Sequence, residues 1–332
     1  MMRLSHPRRT AGTAVALGLA ACLGLTACAS NESAPSGSGE QGGFPRTISD
    51  SMGEVTVEKQ PQKVAALDSS YADAAASLET DVVAYTKYPS SDGLPDYLGK
   101  DKRFLEGGKE IGDLSAPDVE ALYDVQPDLI VSAKIRHEAI HSELSNVAPT
   151  VFSESTGATW KDNIRLLAKA LGKEQLAERK IGEYEQRAQA IGEAIEKKEG
   201  SMPTYSLVRF IEGEQTVRLY ASNSFPAIVM RDVGLKRPKG QPDTTDDISV
   251  DLSQEDIGKL DADRVFVSSY ADATQKAADP KKKFESNPLW SKLSGDLTDV
   301  DDETWYVSVS LQGAHAMLDD IAEQYGVDPA KS

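Results

Sequence analysis

One five-residue stretch has the residue types and spacing of a catalytic metal site. His137–His141 reads HEAIH, the H-E-x-x-H pattern that in zinc proteases places two imidazoles on one helix face with a glutamate as general base. The stretch directly follows an apolar run, Pro149 ends any helix that starts there, and no clear third ligand lies nearby in the sequence. We interpret it as a surface helix, with a zinc metalloprotease as a distant alternative.

The histidines offer a milder alternative. His137, His141 and His315 are the only histidines after the first 27 residues, and by converging they could hold a bare metal ion. The chain has no G-x-S-x-G elbow, no P-loop and no cysteine beyond Cys28. We expect a protein that is not an enzyme.

Two segments of the chain repeat each other. Residues 118–132 read DVEALYDVQPDLIVS, and residues 253–267 read SQEDIGKLDADRVFV. When they are aligned, Glu120 lies over Glu255 and Asp128 lies over Asp263. Each copy predicts a short amphipathic helix, a turn and a buried strand, and a duplicated helix and strand indicates two related lobes.

The elements around these residues predict an α/β architecture. Residues 44–158 and 201–332 alternate strand and helix candidates, which is typical of parallel sheets covered on both faces. Residues 159–200 have a helical apolar period, and a helix from Lys173 to Glu199 would be about 40 Å long at 1.5 Å per residue. We predict two Rossmann-like lobes with parallel-rich sheets, joined by one long α-helix.

The N-terminus predicts export and anchoring. Residues 1–27 contain a basic start and an apolar run, and LTAC follows at Leu25–Cys28. This order is typical of a bacterial lipoprotein signal, after which Cys28 would carry the lipid. Residues 28–43 are small and polar and predict a flexible tether. Loss of the three signal-peptide arginines would move the formal charge from −17 to −20, so we expect no nucleic acid as partner.

Several segments together resemble the bacterial solute-binding lipoproteins that deliver ferric siderophores, haem or cobalamin to ABC importers. The resemblance covers nearly all of residues 44–326 and is carried by GEVTVEKQPQKVAALD, PDVEALYDVQPDLIVS, LGKEQLAERKIGEYEQRAQAI, RLYASNSFPAIVMRDVGLKRP and NPLWSKL. It implies two α/β lobes joined by one long helix that permits only small lobe closure, with a ligand cleft between the lobes. It also implies no intrinsic cofactor and no metal ligands on the protein itself, because the siderophore holds the iron.

The resemblance gives roles to residues in the loops that follow the predicted strands, where α/β lobes bind ligands. Arg136 and Arg209 would contact the oxygen atoms around the iron, and Tyr88, Phe225 and Tyr270 would form walls. A hydroxamate complex is favoured, although the loop before the first repeat helix offers Ser115 where several hydroxamate binders have an arginine. The same fold could instead bind haem, cobalamin or a bare metal ion.

The resemblance also implies a transport partner. Glu120 and Glu255 would dock, one on each lobe, against a two-fold ABC permease dimer with its ATPase. The protein would then lie in the cell envelope, anchored through lipidated Cys28 to the outer face of the cytoplasmic membrane.

Overall fold

The computed structural model describes residues 43–89, 93–270 and 278–331. The chain begins with an antiparallel hairpin of β1 (Arg46–Asp50) and β2 (Gly53–Val57), which pairs Ile48 with Val55. The predicted signal peptide, Cys28 and residues 28–42 of the predicted tether lie outside the described residues.

The first lobe is built on a five-stranded parallel sheet. Its strands and helices are β3 (Lys63–Ala66), α1 (Ser69–Ser77), β4 (Asp81–Tyr85), β5 (Lys109–Glu110), β6 (Gly112–Asp113), β7 (Ala116–Pro117), α2 (Val119–Val125), β8 (Leu129–Ala133), α3 (Lys134–His137), α4 (His141–Ser145) and β9 (Thr150–Ser153). The sheet order is β5-β4-β3-β8-β9, while β6 and β7 form a separate small hairpin. Every residue of β8 and β9 is buried, as the apolar runs predict.

Two helices, rather than one, occupy the predicted connection at residues 159–200. The first helix is α5 (Trp160–Leu171), and the second is the 26-residue α6 (Glu174–Glu199). Gly172 ends α5 with a left-handed φ of 68°, a conformation that glycine adopts without steric cost. The long helix itself is confirmed, and its buried positions follow the predicted period at Ile181, Tyr184, Ala188, Ile191 and Ile195.

The second lobe has a mixed sheet. Its strands and helices are β10 (Tyr205–Ile211), β11 (Val217–Tyr220), α7 (Phe225–Val233), β12 (Ser249–Leu252), β13 (Arg264–Tyr270), α8 (Ala278–Glu285), β14 (Asp296–Asp299) and α9 (Leu311–Tyr325). The order is β12-β11-β10-β13-β14, with β10, β13 and β14 parallel and the other two pairings antiparallel. The two parallel-rich α/β lobes are therefore confirmed.

The repeated aspartates have equivalent places in the two lobes. The Asp128 carboxylate accepts hydrogen bonds from the backbone N–H groups of Gln62 and Lys63, both at 3.0 Å, at the start of β3. Asp263 accepts from the N–H and the hydroxyl of Thr204, both at 2.7 Å, just before β10. Each aspartate thus ties the start of its strand to the start of the neighbouring parallel strand. The helix predicted for the second copy is a 3-10 helix over Gln254–Leu260.

No helix in the described part of the chain is both long and apolar enough to span a bilayer.

Candidate functional site

A cleft of about 640 Å³ lies where loops of the first lobe meet the end of β13 in the second. This volume falls in the usual range for small-molecule sites, about 300–1,000 Å³. Its walls combine charged, hydroxyl and apolar groups: Lys87, Pro89, Asp113, Leu114, Ser115, Ile135, Arg136 and Tyr270. Most of them follow the carboxyl ends of parallel strands, where α/β folds place ligands.

Arg136 contributes a partly exposed cation to this cleft. It lies in α3, directly after the buried strand β8. Its Nε donates to Asp68 Oδ2 at 3.2 Å, and 40% of its side chain remains exposed. Asp68 is fixed in turn as the N-cap of α1, because it accepts from the N–H of Ser70 at 2.9 Å. Its Nη2 also donates to the Thr156 hydroxyl at 3.4 Å. One edge of the guanidinium is therefore anchored, and Nη1 can donate to a ligand.

Arg209 does not contact the cleft as predicted. Its guanidinium pairs in bidentate fashion with Asp302, with Nε at 2.7 Å and Nη2 at 2.5 Å from the two carboxylate oxygens, and Nη1 donates to the Tyr220 hydroxyl at 3.0 Å. Only 10% of the Arg209 side chain and 13% of the Asp302 side chain are exposed. Burial lowers the pKa of Arg209, but the hydrogen bonds and charge interactions with Asp302 and Tyr220 together outweigh it and hold the pKa above its ordinary value. The cation is thus neutralised beneath the surface.

Arg209 nonetheless supports the cleft from behind. Its Cζ lies 5.1 Å from the ring centroid of Tyr270 and 5.2 Å from that of Tyr306, within the range of cation–π attraction. Tyr270 is half-buried and lines the cleft. The structure therefore places Tyr270 where the sequence predicted a wall and gives Arg209 a supporting position.

The other two predicted walls are buried in the core. Tyr88 is 2% exposed, and its hydroxyl donates to Asp73 at 2.6 Å. Phe225 is also 2% exposed and meets Trp160 edge-on, with ring centroids 5.8 Å apart. Neither ring can contact a ligand in this structure, so both predictions are corrected. Aromatic residues next to strand ends were chosen by position, and position alone does not separate a wall from a core residue.

Sequence reasoning missed part of the lining. Ile135 is 67% exposed and lines the cleft beside Arg136, and Asp113 and Leu114 reach it from the β6–β7 hairpin. An isoleucine next to a charged residue after a buried strand is a weak signal. Asp113 and Leu114 lie in a hairpin of two-residue strands, which is too short to give a periodic pattern in the sequence.

The HEAIH stretch does not have zinc-protease geometry. A 3-10 turn over Glu138–Ile140 separates α3 from α4, so the two histidines do not lie four residues apart on one helix. Both ring nitrogens of His137 are used, with Nδ1 2.7 Å from the Ser132 hydroxyl and Nε2 2.7 Å from the Leu114 carbonyl. The stretch is exposed at Glu138 and Ala139, as expected of a surface segment, but it is not one helix, and His137 is only 4% exposed.

The three histidines do not converge either. His141 packs edge-on against Phe152, whereas His315 contacts the Arg187 guanidinium and the Tyr184 ring on the connecting helix α6. Burial, together with the nearby Arg187 charge, lowers the pKa of His315 to about 4. No group of three or more His, Cys, Asp or Glu side chains suited to a metal ion occurs within residues 43–89, 93–270 and 278–331.

A second groove, of about 460 Å³, adjoins the cleft and shares Ser115 and Arg136 with it. Glu120, in the first turn of α2, lines this groove and is exposed. Glu255 is exposed in the first turn of the 3-10 helix of the second copy. Neither glutamate forms an ion pair with a residue that the structure describes, so both carboxylates are open to a partner.

Known proteins share this architecture. Residues 64–294 match the model of the periplasmic binding protein family. The chain is 33% identical over 287 residues to a probable siderophore-binding lipoprotein, YfiY, of Bacillus subtilis. The aligned region covers 83% of this chain and 86% of YfiY. It is 26% identical over 267 residues to the Fe(3+)-citrate-binding protein YfmC of the same organism, covering 78% of this chain and 79% of that one.

A solved structure agrees with these matches. The crystal structure of Staphylococcus aureus SirA complexed with staphyloferrin B superposes with a TM-score of 0.78 at 26% identity, covering 86% of this chain and 99% of SirA. A shared fold alone does not give a function, but the family match spans both lobes and the helices between them. The chain belongs to the periplasmic binding protein family.

Proposed function

We propose that this protein captures a ferric siderophore outside the cytoplasm and delivers it to an ABC importer for iron uptake. The observation that carries the proposal is the cleft between the lobes, which is lined by Arg136 from the first lobe and Tyr270 from the second. Proteins similar to this chain include siderophore-binding proteins. The cleft offers a cation for iron-bound oxygen atoms and apolar surface for the linkers between them. No catalytic step is required for this role.

The charges of the cleft bear on the class of siderophore. Among the described residues that line it, Lys87 and Arg136 are cations and Asp113 is the one carboxylate. An anionic ferric complex, such as a carboxylate or catecholate, gains attraction there that a neutral hydroxamate complex does not. The similarity to a ferric citrate-binding protein also favours anionic ferric complexes over neutral ones. We therefore propose anionic complexes ahead of the hydroxamates that the sequence favoured.

The alternative ligands fit less well. A bare metal ion would need several protein ligands, and the described histidines lie apart. His137 bonds to Ser132 and Leu114, His141 packs against Phe152, and His315 contacts Arg187. Haem and cobalamin remain the competing cargo for the same cleft, since both are large and partly apolar.

Membrane attachment and partner docking complete the proposal. Cys28 would carry the lipid after cleavage of residues 1–27 and hold the protein at the outer face of the cytoplasmic membrane. Glu120 and Glu255, exposed on the two lobes, would pair with basic residues on the two halves of a permease dimer, which works with its ATPase. The similar relative YfiY is itself described as a lipoprotein.

Calorimetric titration of the mature protein tests the proposal. The ligand panel is ferric citrate, ferric staphyloferrin B, a ferric triscatecholate, ferrioxamine B, haem, cobalamin, zinc and manganese. We expect one of the anionic ferric complexes to bind most tightly. Arg136→Gln should weaken that binding about tenfold or more, since a hydrogen bond to a charged group contributes about 1.5–3 kcal/mol, whereas Arg179→Gln on an exposed face of α6 should not. Binding of haem, cobalamin or a metal ion alone would refute the proposal.

A further inference from the structure

One buried carboxyl group occupies the junction between the two lobes. Asp73 in α1 is 0% exposed. Its Oδ1 accepts from the Tyr88 hydroxyl at 2.6 Å, its Oδ2 accepts from the Tyr97 hydroxyl at 2.9 Å, and the Ser310 hydroxyl also bonds to it. No Lys, Arg or His side chain pairs with Asp73 among the residues that the structure describes. Because a buried acid without a cation destabilises a fold, this arrangement calls for a reason.

The three hydroxyl groups come from separate parts of the molecule. Tyr88 lies between Lys87 and Pro89, both of which line the ligand cleft. Tyr97 belongs to the 3-10 helix over Asp96–Phe104 of the first lobe. Ser310 is the N-cap of α9 in the second lobe. A single carboxyl group therefore contacts the cleft rim, the body of the first lobe and the second lobe.

Other bonds show how the rim is held. The Lys87 N–H donates to the Gly112 carbonyl at 2.8 Å, which fixes the rim to the hairpin that supplies Leu114 and Ser115. The Lys87 side chain is exposed, so within Lys87–Pro89 only Tyr88 sends its side chain into the core. On the other side of Asp73, Gln312 of α9 donates to the Asp73 carbonyl at 3.0 Å and to Asp101 at 3.0 Å. The side chain and the backbone of Asp73 thus both bond to the second lobe.

We propose that Asp73 is a positioning residue for ligand binding, which through Tyr88 fixes the Lys87–Pro89 rim of the cleft and through Ser310 joins that rim to the second lobe. The proposal rests on the proposed function, because it assigns a role at the same cleft. Asp73 itself touches no ligand. Its effect on affinity arises because a rim held in the binding conformation loses less conformational entropy when a ligand binds.

Two conservative variants separate positioning from a merely structural role. Tyr88→Phe and Tyr97→Phe each remove one phenol hydroxyl from the same carboxyl group and leave the ring in place. Both should lower the urea concentration at the unfolding midpoint by a similar amount, because in each a buried acceptor loses one donor. Only Tyr88 belongs to the cleft rim, so only Tyr88→Phe should affect the rim and the affinity.

Hydrogen exchange of the unliganded protein gives the first readout. In Tyr88→Phe, the hydrogen-bonded amides of Thr86 and Lys87 should exchange about tenfold faster, as expected when one hydrogen bond no longer opposes local opening. In Tyr97→Phe, exchange of the same amides should stay within about twofold of wild type. Equal rates in the two variants would overturn the proposal. This measurement needs no ligand, so it stands even if the proposed function fails.

Ligand affinity gives the second readout. The probe is the complex from the panel above that wild type binds most tightly, with ferric citrate titrated first. Tyr88→Phe should weaken binding about tenfold and Asp73→Asn by at least as much, whereas Tyr97→Phe should change it by less than about threefold. If Tyr97→Phe weakens binding as much as Tyr88→Phe, Asp73 acts through general stability and the proposal is wrong. If wild type binds none of the complexes, the proposed function fails, and hydrogen exchange alone decides the positioning role.

Discussion

At the scale of single residues, two arginines of similar sequence context have different roles. The sequence assigned both Arg136 and Arg209 to the ligand as residues near strand ends. Arg136 does lie in α3, just after β8, but Arg209 lies within β10. The structure leaves Arg136 partly exposed in the cleft and pairs Arg209 with Asp302 beneath it. The difference depends on Asp302, which lies 93 residues from Arg209 along the chain. No spacing rule reveals such a partner, so the fold was needed to separate the two roles.

Removing Arg209 should destabilise the second lobe. Arg209→Met leaves Asp302 nearly buried without its cation, and the Ser268 hydroxyl is then its one remaining side-chain donor among the described residues. We expect the free energy of unfolding to fall by about 3–5 kcal/mol, as for other buried pairs that lose one partner. Urea denaturation measures this change.

The double variant Arg209→Met with Asp302→Leu is the control. It should recover much of the loss, because no charge is then left buried. A single variant as stable as wild type would show that the pair is exposed in solution.

The Asp73 carboxyl should make stability depend on pH. Burial raises the pKa of Asp73 from 3.8 to about 7, against the opposing effect of its hydrogen bonds. Between about pH 4 and pH 7 the folded protein then holds a proton that the unfolded chain has released. Stability therefore falls as pH rises through this window, with a slope on the order of 1.4 kcal/mol per pH unit from this group.

Asp73→Asn removes that titration. Urea unfolding at pH 5 and pH 8 should show a smaller stability difference in the variant than in wild type. An identical difference in both proteins would show that Asp73 ionises at its ordinary pKa.

At the scale of elements, the sequence predicted periodic structure well and irregular structure poorly. The parallel strands and the helix α6 follow from apolar runs and from steps of three and four residues. The helix expected at HEAIH instead breaks into α3, a 3-10 turn and α4. Hydrogen bonds of His137 with Ser132 and Leu114 stabilise that break. Leu114 lies in the hairpin of β6 and β7, whose two-residue strands give no periodic pattern in the sequence. The cleft lining lies mainly on such irregular segments, which is why much of it was missed.

Two glycines of α6 give a matched test of helix packing. A Cβ at Gly192 would lie 1.9 Å from the Val233 carbonyl oxygen at the end of α7, whereas a Cβ at Gly182 would meet nothing within 4 Å. Gly192→Ala should force α6 and α7 apart and destabilise the protein by about 1–3 kcal/mol.

Gly182→Ala should instead stabilise the protein by about 0.5–1 kcal/mol, because alanine loses less backbone entropy in a helix. Thermal unfolding of both variants checks the pair. A stabilising Gly192→Ala would contradict the close contact between the connecting helix and the second lobe.

At the scale of the whole molecule, both lobes are fastened to the connecting helices and to each other. Lys161 of α5 pairs with Asp232 at 2.9 Å, Tyr184 of α6 donates to the same carboxylate at 3.0 Å, and Gln312 bonds to Asp101 across the lobes. These contacts favour the small closure expected for lobes joined by a helix. A receptor that closes little has to present its docking groups in nearly fixed positions.

The two repeated glutamates should matter for transport and not for capture. Glu120→Ala combined with Glu255→Ala should abolish uptake of radiolabelled ferric siderophore by cells that depend on this receptor, because both permease contacts lose their charge. Affinity for the same complex, measured on the purified protein, should stay within about twofold.

Glu106→Ala combined with Glu193→Ala removes two other exposed carboxylates and should leave uptake unchanged. Loss of ligand binding in the Glu120 and Glu255 variant would mean that these residues belong to the binding site.

The central claim is that a ferric complex lies between the lobes, beside Arg136 and Tyr270. Ferric iron is paramagnetic and broadens NMR signals of nearby nuclei, whereas the gallium(III) complex of the same siderophore does not. Amide spectra of the mature protein with each complex should differ by selective broadening at Lys87, Ser115, Arg136 and Tyr270. Broadening centred instead on the small pocket beside Lys100 and His315, or no broadening at any described residue, would contradict the account.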